Sequence, residues 1–208
     1  MHSTLLVGPY DWDANRLPKK EFTDRIRDFW DHISDTDCLA AVIYGDSRSH
    51  AELAYLSNFT PKLGPALMLL PRNGEPTLLA SGAPNMLAAA RRLTWLEKTQ
   101  PLGDPGKSIR QWVRESAPSG TRSRTALING NAMRSALYRP LGEAFGAENA
   151  LVDESSSLRA LMRHKRPVEL AVIREACTTL TAATGALKEA QRAGVGVTAA
   201  GRCVHSKI

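Results

Sequence analysis

The sequence has few cysteines and no long hydrophobic run, and both features restrict the classes of protein to which it can belong. Its 208 residues include only 3 cysteines, Cys38, Cys177 and Cys203, none of them in a Cys-x-x-Cys pair. This content is typical of a reducing compartment rather than of a disulfide-stabilised secreted domain. Apolar stretches such as residues 66–71 are far shorter than the about 20 residues of a membrane-spanning helix. With no basic-then-apolar leader, the sequence predicts a soluble cytoplasmic protein without a membrane partner.

Aromatic residues are also few, at 6% of the chain, yet the overall composition is that of a folded protein. Apolar residues make up 43% and charged residues 23%, close to the average of globular domains. A chain of this length can bury about 70% of the surface that its extended form exposes. These values exclude a disordered or collagen-like chain and predict one or two folded domains.

Positive charge is concentrated in the second half of the chain. Residues 1–104 contain 11 Lys and Arg against 13 Asp and Glu, whereas residues 105–208 contain 16 against 8. The densest basic run is residues 163–166, and Arg122 and Arg124 form a second cluster. A basic surface attracts any anion, and no nucleic-acid-binding motif accompanies either run. One hypothesis is therefore a stand-alone interaction module whose basic second half binds nucleic acid or an acidic partner.

The spacing of apolar residues predicts alternating helices and strands between residues 17 and 154. Ser49 and Glu52 stand where a capping box would begin the second helix, and the Asn73-Gly74 pair is a strong hairpin signal. This order of elements predicts a three-layer α/β domain around a mixed sheet. Helices are predicted over residues 17–33, 49–56 and 84–93, from Pro105 onward and over 132–145, and strands over residues 39–44, 66–70, 76–80, 125–128 and 150–152.

The pattern changes after residue 153, where the strand signals end. The serines at 155–157 can cap a short helix over residues 158–164, and Pro167 then begins a segment with helical spacing over about seven turns. The apolar side of that helix has nothing downstream to cover it, which predicts the opening of a second domain. The sequence therefore predicts a first domain over residues 1–154, a linker over 155–166 and the start of an incomplete domain over 167–208.

Motifs for catalysis are scarce in this sequence. Cys203 and His205 are possible metal ligands, but no second pair lies at a spacing that would complete a site, and there is no Gly-x-Ser-x-Gly nucleophile motif. Asp46, Ser47 and His50 follow a predicted buried strand, where α/β enzymes often place functional residues. Turn capping explains Asp46 and Ser47 equally well. A small independent enzyme that uses these three residues is a further, weaker hypothesis.

Two segments resemble the creatinase, aminopeptidase P and prolidase family of pita-bread metallohydrolases. The segment Leu161-Met-Arg-His-Lys165-Arg-Pro-Val-Glu169-Leu-Ala-Val-Ile-Arg174-Glu-Ala176 is similar to the junction between the N-terminal and catalytic domains of that family. Upstream, Tyr44-Gly-Asp46, Leu53-Ala-Tyr55-Leu56-Ser-Asn-Phe59 and the run Ala66-Leu-Met-Leu-Leu70 resemble the family's strand, Tyr-Leu element and following strand. The resemblance spans roughly residues 17–200.

The resemblance implies a ribonuclease-H-like N-terminal domain followed by the first long helix of a pita-bread domain. In that family the N-terminal domain has no catalytic groups, and a dinuclear metal centre is built by two Asp, one His and two Glu of the catalytic domain. None of these five ligands can be placed in residues 167–208. We therefore expect no catalytic residue and no metal ligand in this chain, and no activity of the chain alone. A divalent metal pair (Mn, Zn or Co) is expected only in a full-length protein.

The resemblance also implies roles for a loop and for the linker. N-terminal domains of the family mediate dimerisation, and a loop after the Tyr-Leu element can reach the active site of the neighbouring subunit. The matching positions here are Phe59, Thr60, Pro61 and Lys62, so we expect substrate contacts in trans from this loop. Related sequences often have Pro-Arg-Phe-Glu where residues 61–64 stand, and lysine cannot form the bidentate clamp of arginine.

In the linker, Pro167 suits a first helical turn, and Glu169 lies where the helix dipole favours an anion. Arg163 and Lys165 precede that positive end, and we expect them to contact the acidic surface of the first domain. The resemblance as a whole predicts a homodimer without a nucleic-acid partner. A small peptide or amide substrate is expected only for the full-length protein.

Overall fold

The structure is a computed structural model that describes residues 11–62, 64–116, 124–145 and 151–194. The chain divides into two compact units, and the division falls between His164 and Lys165. The described part of the first unit contains six helices around a six-stranded sheet. The described part of the second unit contains one long helix.

The elements of the first unit alternate as the sequence predicts, with one additional strand at residues 98–101. Short 3-10 turns at Ser34–Thr36 and Gly130–Ala132 precede β1 and α5. In chain order the elements are α1 (Lys19–His32), β1 (Cys38–Gly45), α2 (Ala51–Ser57), β2 (Ala66–Pro71), β3 (Thr77–Ala80), α3 (Pro84–Leu93), β4 (Lys98–Pro101), α4 (Pro105–Ser116), β5 (Arg124–Ile128), α5 (Ser135–Phe145), β6 (Leu151–Asp153) and α6 (Ser155–Arg163).

The sheet is mixed, with strand order β4-β3-β2-β1-β5-β6. The predicted hairpin is present: β2 and β3 are antiparallel, with Ala66 opposite Ala80. β1 is antiparallel to β2 but parallel to β5, and β5 is parallel to β6. The carboxyl ends of β1, β5 and β6 therefore meet at one edge of the sheet, where functional side chains of α/β folds commonly lie.

Alternating side chains of the strands build two apolar cores, one on each face of the sheet. On β1, Ala41 and Ile43 pack with residues of α1, α2, α3 and α6. Val42 and Tyr44 point to the opposite face, where they pack with residues of α4 and α5. β1 is thus buried on both sides, as its continuous apolar sequence indicates. The predicted three-layer α/β architecture is confirmed.

One strand was not predicted, and one local prediction is wrong. The strand β4 was not expected, because its sequence is polar and only Thr99 among its residues is buried; a short strand at the edge of a sheet needs no apolar alternation. The capping box at the start of α2 does not form: His50 is the N-cap and makes no side-chain cap hydrogen bond. The carboxylate of Glu52 instead binds Asn129 and Arg159.

The second unit begins with α7 (Pro167–Arg192), and its first turn has the features that the sequence predicts. Pro167 occupies the first turn, and the backbone N–H of Arg166 donates to Glu169 Oε2 at 3.0 Å. This bond satisfies one of the amide groups that a helix leaves unpaired at its start. α6, predicted within the linker, lies in the first unit, where Leu158 is fully buried in the apolar core.

Candidate functional site

The loop that follows α2 leaves the helix by a tight turn. Asn58 ends the helix in the left-handed conformation, with φ of 60°, which asparagine tolerates better than most residues. The Ser57 hydroxyl donates to the carbonyl of Leu53 at 2.6 Å and accepts from the backbone N–H of Phe59 at 3.1 Å. These bonds fix the direction in which the chain leaves α2 and continues into the loop at residues 59–62.

Three of the four residues predicted to contact substrate line one small cleft. These are Phe59, Thr60 and Lys62, while Pro61 is buried beside them. Phe59 is 7% exposed and Lys62 is exposed. The structure thus brings the predicted loop residues together around a cleft with a volume of about 140 Å³. Their contact with a substrate of a neighbouring subunit stays a prediction.

The other side of the cleft is formed by helix α3 and the end of β3. Its lining residues are Ser81, Met86, Ala89, Ala90 and Leu93. The sequence indicated an apolar face on this helix but not that part of the face would remain open. In the structure Met86, at the start of this apolar face, is 37% exposed.

The two walls of the cleft are joined by hydrogen bonds. The Asn58 side-chain amide donates to the carbonyl of Leu93 at 3.1 Å, and the Thr94 hydroxyl donates to the carbonyl of Ser57 at 2.5 Å. Nearby, the indole N–H of Trp95 donates to a carbonyl of α2 at 2.8 Å. Because these bonds connect the end of α2 with the end of α3, the spacing of the two walls is fixed by the fold.

A second group of polar side chains lies at the carboxyl ends of β1 and β5. Glu52 accepts from Arg159 Nε at 2.6 Å and from Asn129 Nδ2 at 2.7 Å, and Asn129 Oδ1 accepts from Arg159 at 2.7 Å. Burial raises the pKa of the Glu52 carboxyl. Hydrogen bonds from Arg159, from the backbone N–H of Glu52 and from Asn129 outweigh this effect, and the resulting pKa is lowered. We call these three residues the Glu52 cluster. Both oxygens of Glu52 and both polar groups of the Asn129 side chain have partners, which is typical of a structural network.

Of the three residues considered for a small independent enzyme, Asp46 has its described hydrogen-bond partners within its own turn or on the preceding strand. Asp46 Oδ1 accepts from the backbone N–H groups of Arg48 and Ser49, each at 2.8 Å, and these bonds lower the pKa of its carboxyl. Asp46 Oδ2 accepts from the hydroxyl of Tyr44 at 2.8 Å; burial and this bond raise the pKa of Tyr44 to about 12. Asp46 thus caps a turn, which is the structural interpretation of the motif.

The described residues do not fit a metal centre. Within residues 11–62, 64–116, 124–145 and 151–194, no group of three or more His, Cys, Asp or Glu side chains could hold an ion. Cys203, His205 and Arg122 lie outside the described residues. In the same part of the chain, no helix is long and apolar enough to cross a membrane.

The predicted linker residues are spread over a helix end, a connection and a helix start. Arg163 is the last residue of α6, Lys165 follows in the connection, and Glu169 lies in the first turn of α7. Arg163 and Lys165 are exposed. Their contact with the acidic surface of the first domain stays a prediction.

The fold of the chain is the mixed α/β fold of solved Xaa-Pro peptidase structures. The chain is similar to the Xaa-Pro dipeptidase from Bacillus anthracis, with a TM-score of 0.59 and 15% identity over 81% of this chain. The prolidase from Pyrococcus horikoshii gives a TM-score of 0.58 and 12% identity over 80% of this chain. The family resemblance seen in the sequence is thus confirmed at the level of the fold. No protein-family model and no curated protein sequence matches the chain.

This chain covers different shares of the solved structures to which it is similar. This chain spans 43% of the Bacillus anthracis protein and 42% of the Pyrococcus horikoshii protein. In contrast, the similarity to the aminopeptidase P from Streptococcus thermophilus, with a TM-score of 0.50 and 15% identity, covers 68% of this chain and 98% of that one. The chain therefore spans about two-fifths of the longer structures, and a part of it matches nearly the whole of a shorter one.

Proposed function

We propose that this chain is the non-catalytic N-terminal region of a Xaa-Pro peptidase-like or creatinase-like metallohydrolase, whose full-length form hydrolyses a peptide or related C–N bond. The observation that supports this most directly is the likeness to the Xaa-Pro dipeptidase, which extends over 81% of this chain but only 43% of that protein. The motif order from Tyr44 to Glu169 supports the same assignment. A divalent metal pair would be held outside the described residues, which offer no fitting ligand group.

The proposed role of the region is to assemble subunits and to shape the substrate channel. The loop at residues 59–62 suits this role because it is fixed by the bonds at Ser57 and Asn58 and presents the exposed Lys62. An ammonium group at such a position can attract a substrate carboxylate. We propose a homodimer, in which this loop approaches the active site of the partner.

The experiment that tests the proposal is a hydrolysis assay of the purified 208-residue chain on Xaa-Pro dipeptides and tripeptides and on creatine. We expect no turnover above the protein-free blank with Mn²⁺, Zn²⁺ or Co²⁺, because the described residues contain no group of metal ligands. Metal-dependent turnover that disappears with a chelator would contradict the proposal.

Two further measurements examine the remaining parts of the proposal. Light scattering of the purified chain should give twice the mass of one chain, and a monomer at all concentrations would contradict the assembly role. The gene should continue beyond the codon of Ile208 with the Asp, Asp, His, Glu, Glu ligand series in that order. A stop codon without such a series would contradict the assignment to a longer hydrolase.

A further inference from the structure

The cleft beside α3 combines an apolar interior with one positive charge. Phe59 and Ala90 are its most buried lining residues, with 7% and 4% of their surfaces exposed. Lys62 is exposed, and none of the described side chains that line the cleft is acidic. The described lining therefore offers contact area to an apolar group and electrostatic attraction to an anion.

The size of the cleft limits what it can hold. Its volume is about 140 Å³, close to that of an apolar cavity of about 150 Å³ that accommodates benzene. Pockets for drug-sized ligands start at about 300 Å³, so a nucleotide or a folded peptide segment is too large. One aromatic ring or one branched aliphatic group fits.

The cleft is formed before any ligand binds. The bonds from Asn58 to Leu93 and from Thr94 to Ser57 hold its walls together, and the Ser81 hydroxyl donates to the carbonyl of Pro65 at 2.6 Å. A ligand that enters a preformed site avoids most of the entropic cost of ordering loops and side chains. Even a small apolar contact can therefore give measurable binding.

We propose that this cleft binds a small carboxylic acid that carries one aromatic or branched aliphatic group. The apolar group lies against Phe59, Met86 and Ala90, and the carboxylate lies near the ammonium group of Lys62. The proposal goes beyond the function proposed above, because the site is complete within one chain and needs neither a second subunit nor a hydrolytic reaction.

The probe for the test is 3-phenylpropionate, observed by NMR of the full chain labelled at the methionine methyl groups. The Met86 methyl group belongs to a residue that lines the cleft, whereas Met68 is fully buried in the core and serves as an internal reference. The Met86 signal is assigned from the spectrum of Met86→Leu. We expect a saturable shift of the Met86 signal with no change at Met68.

Two ligand controls separate the apolar and electrostatic contributions. 3-Phenylpropanol has the same ring without the charge, and we expect it to bind about twofold to fivefold more weakly, the effect of a solvent-exposed ion pair. Propionate has the charge without the ring and should give no shift. In the Lys62→Gln variant, binding of the acid should weaken by the same factor, and binding of the alcohol should be unchanged.

Two matched substitutions on α3 locate the site. Ala89 lines the cleft and Ala88 does not, and both are exposed positions of the same helix. Ala89→Leu should fill the cleft and abolish the Met86 shift, whereas Ala88→Leu should bind as the wild type does. Urea unfolding followed by tryptophan fluorescence confirms that each variant is folded.

The proposal is overturned if 3-phenylpropionate gives no saturable Met86 shift up to its solubility limit. It is equally overturned if the alcohol binds as tightly as the acid, or if Ala88→Leu loses binding together with Ala89→Leu. None of these results depends on hydrolysis or dimerisation, so a failure of the proposed function and a failure of this inference are distinguishable.

Discussion

Glu52 is a buried carboxylate whose two oxygen atoms have different partners. It is 5% exposed, and a buried charge is costly unless it is paired and hydrogen-bonded. One oxygen accepts from the guanidinium of Arg159 at 2.6 Å and the other from the amide of Asn129 at 2.7 Å. Because these residues belong to α2, α6 and the end of β5, the Glu52 cluster connects three parts of the first unit.

Replacing this carboxylate by an amide should destabilise the protein. We expect Glu52→Gln to lower the free energy of unfolding by about 2 kcal/mol, because the new NH₂ group faces a donor and leaves a buried hydrogen bond unmade. Urea unfolding followed by tryptophan fluorescence measures this loss. The matched control is Glu143→Gln, whose side chain is 57% exposed in its pair with Arg139 and should change stability by less than about 0.5 kcal/mol. Equal effects of the two substitutions would refute the argument.

The lowered pKa of Glu52 also predicts a pH dependence of stability. A carboxyl group whose pKa is lower in the folded than in the unfolded chain stabilises the fold above its unfolded pKa and loses that contribution as the pH falls through the folded pKa. The ordinary pKa of the group is 4.5. We therefore expect the stability difference between the wild type and Glu52→Gln to be constant near neutral pH and to shrink below about pH 4.5. A stability difference that grows on acidification would show that the pKa of Glu52 is raised, not lowered, in the folded chain.

At the level of elements, the end of β1 and helix α2 approach each other at a glycine. A Cβ atom on Gly45 would lie 2.7 Å from Leu53 Cδ2 and 2.9 Å from Leu53 Cβ. Leu53 is fully buried in the core, so it cannot move aside. The absence of a side chain at residue 45 therefore determines how closely α2 packs on the sheet.

Two glycine substitutions should have opposite effects on stability, because a Cβ atom is crowded at one position and has open space at the other. We expect Gly45→Ala to lower the free energy of unfolding by about 1–3 kcal/mol, because overpacking forces α2 away from β1. A Cβ atom on Gly185 in α7 would have no neighbour within 4 Å, and Gly185→Ala should stabilise that helix by about 0.5–1 kcal/mol. Urea unfolding measures the first effect and circular dichroism at the helix wavelength the second. A neutral Gly45→Ala would show that the packing at this contact is loose.

Elements with a regular apolar pattern could be predicted from the sequence, and those defined by distant partners could not. Helix α3 has the predicted bounds, because Pro84 and the apolar spacing mark it locally. β4 has one buried residue and owes its position to pairing with β3. In the Glu52 cluster, Glu52 is 77 residues from Asn129 and 107 from Arg159. No local sequence pattern indicates partners so far apart in the chain, and the local pattern at Glu52 predicted a capping box instead.

At the level of the whole molecule, the first unit contains its own core. All residues of both apolar clusters precede His164, and the last helix, α6, contributes the fully buried Leu158. The aminopeptidase P chain from Streptococcus thermophilus is matched over 98% of its length by 68% of this chain. The sequence places the domain boundary at residue 154, whereas the compact unit ends at His164. The two boundaries differ in whether α6 belongs to the folded region.

Two truncated chains should therefore behave differently. A chain that ends at His164 should unfold in one cooperative transition in urea, observed by its tryptophans, all of which precede that residue. A chain that ends at Asp153 loses Leu158, whose removal from the core costs about 2–5 kcal/mol. It also loses Arg159, and with it the charged hydrogen bonds to the Glu52 carboxylate and to Asn129. Against the stability of a typical domain, about 5–15 kcal/mol, these losses are large. The shorter chain should show no cooperative transition, and a transition at an unchanged urea midpoint would mean that α6 does not belong to the folding unit.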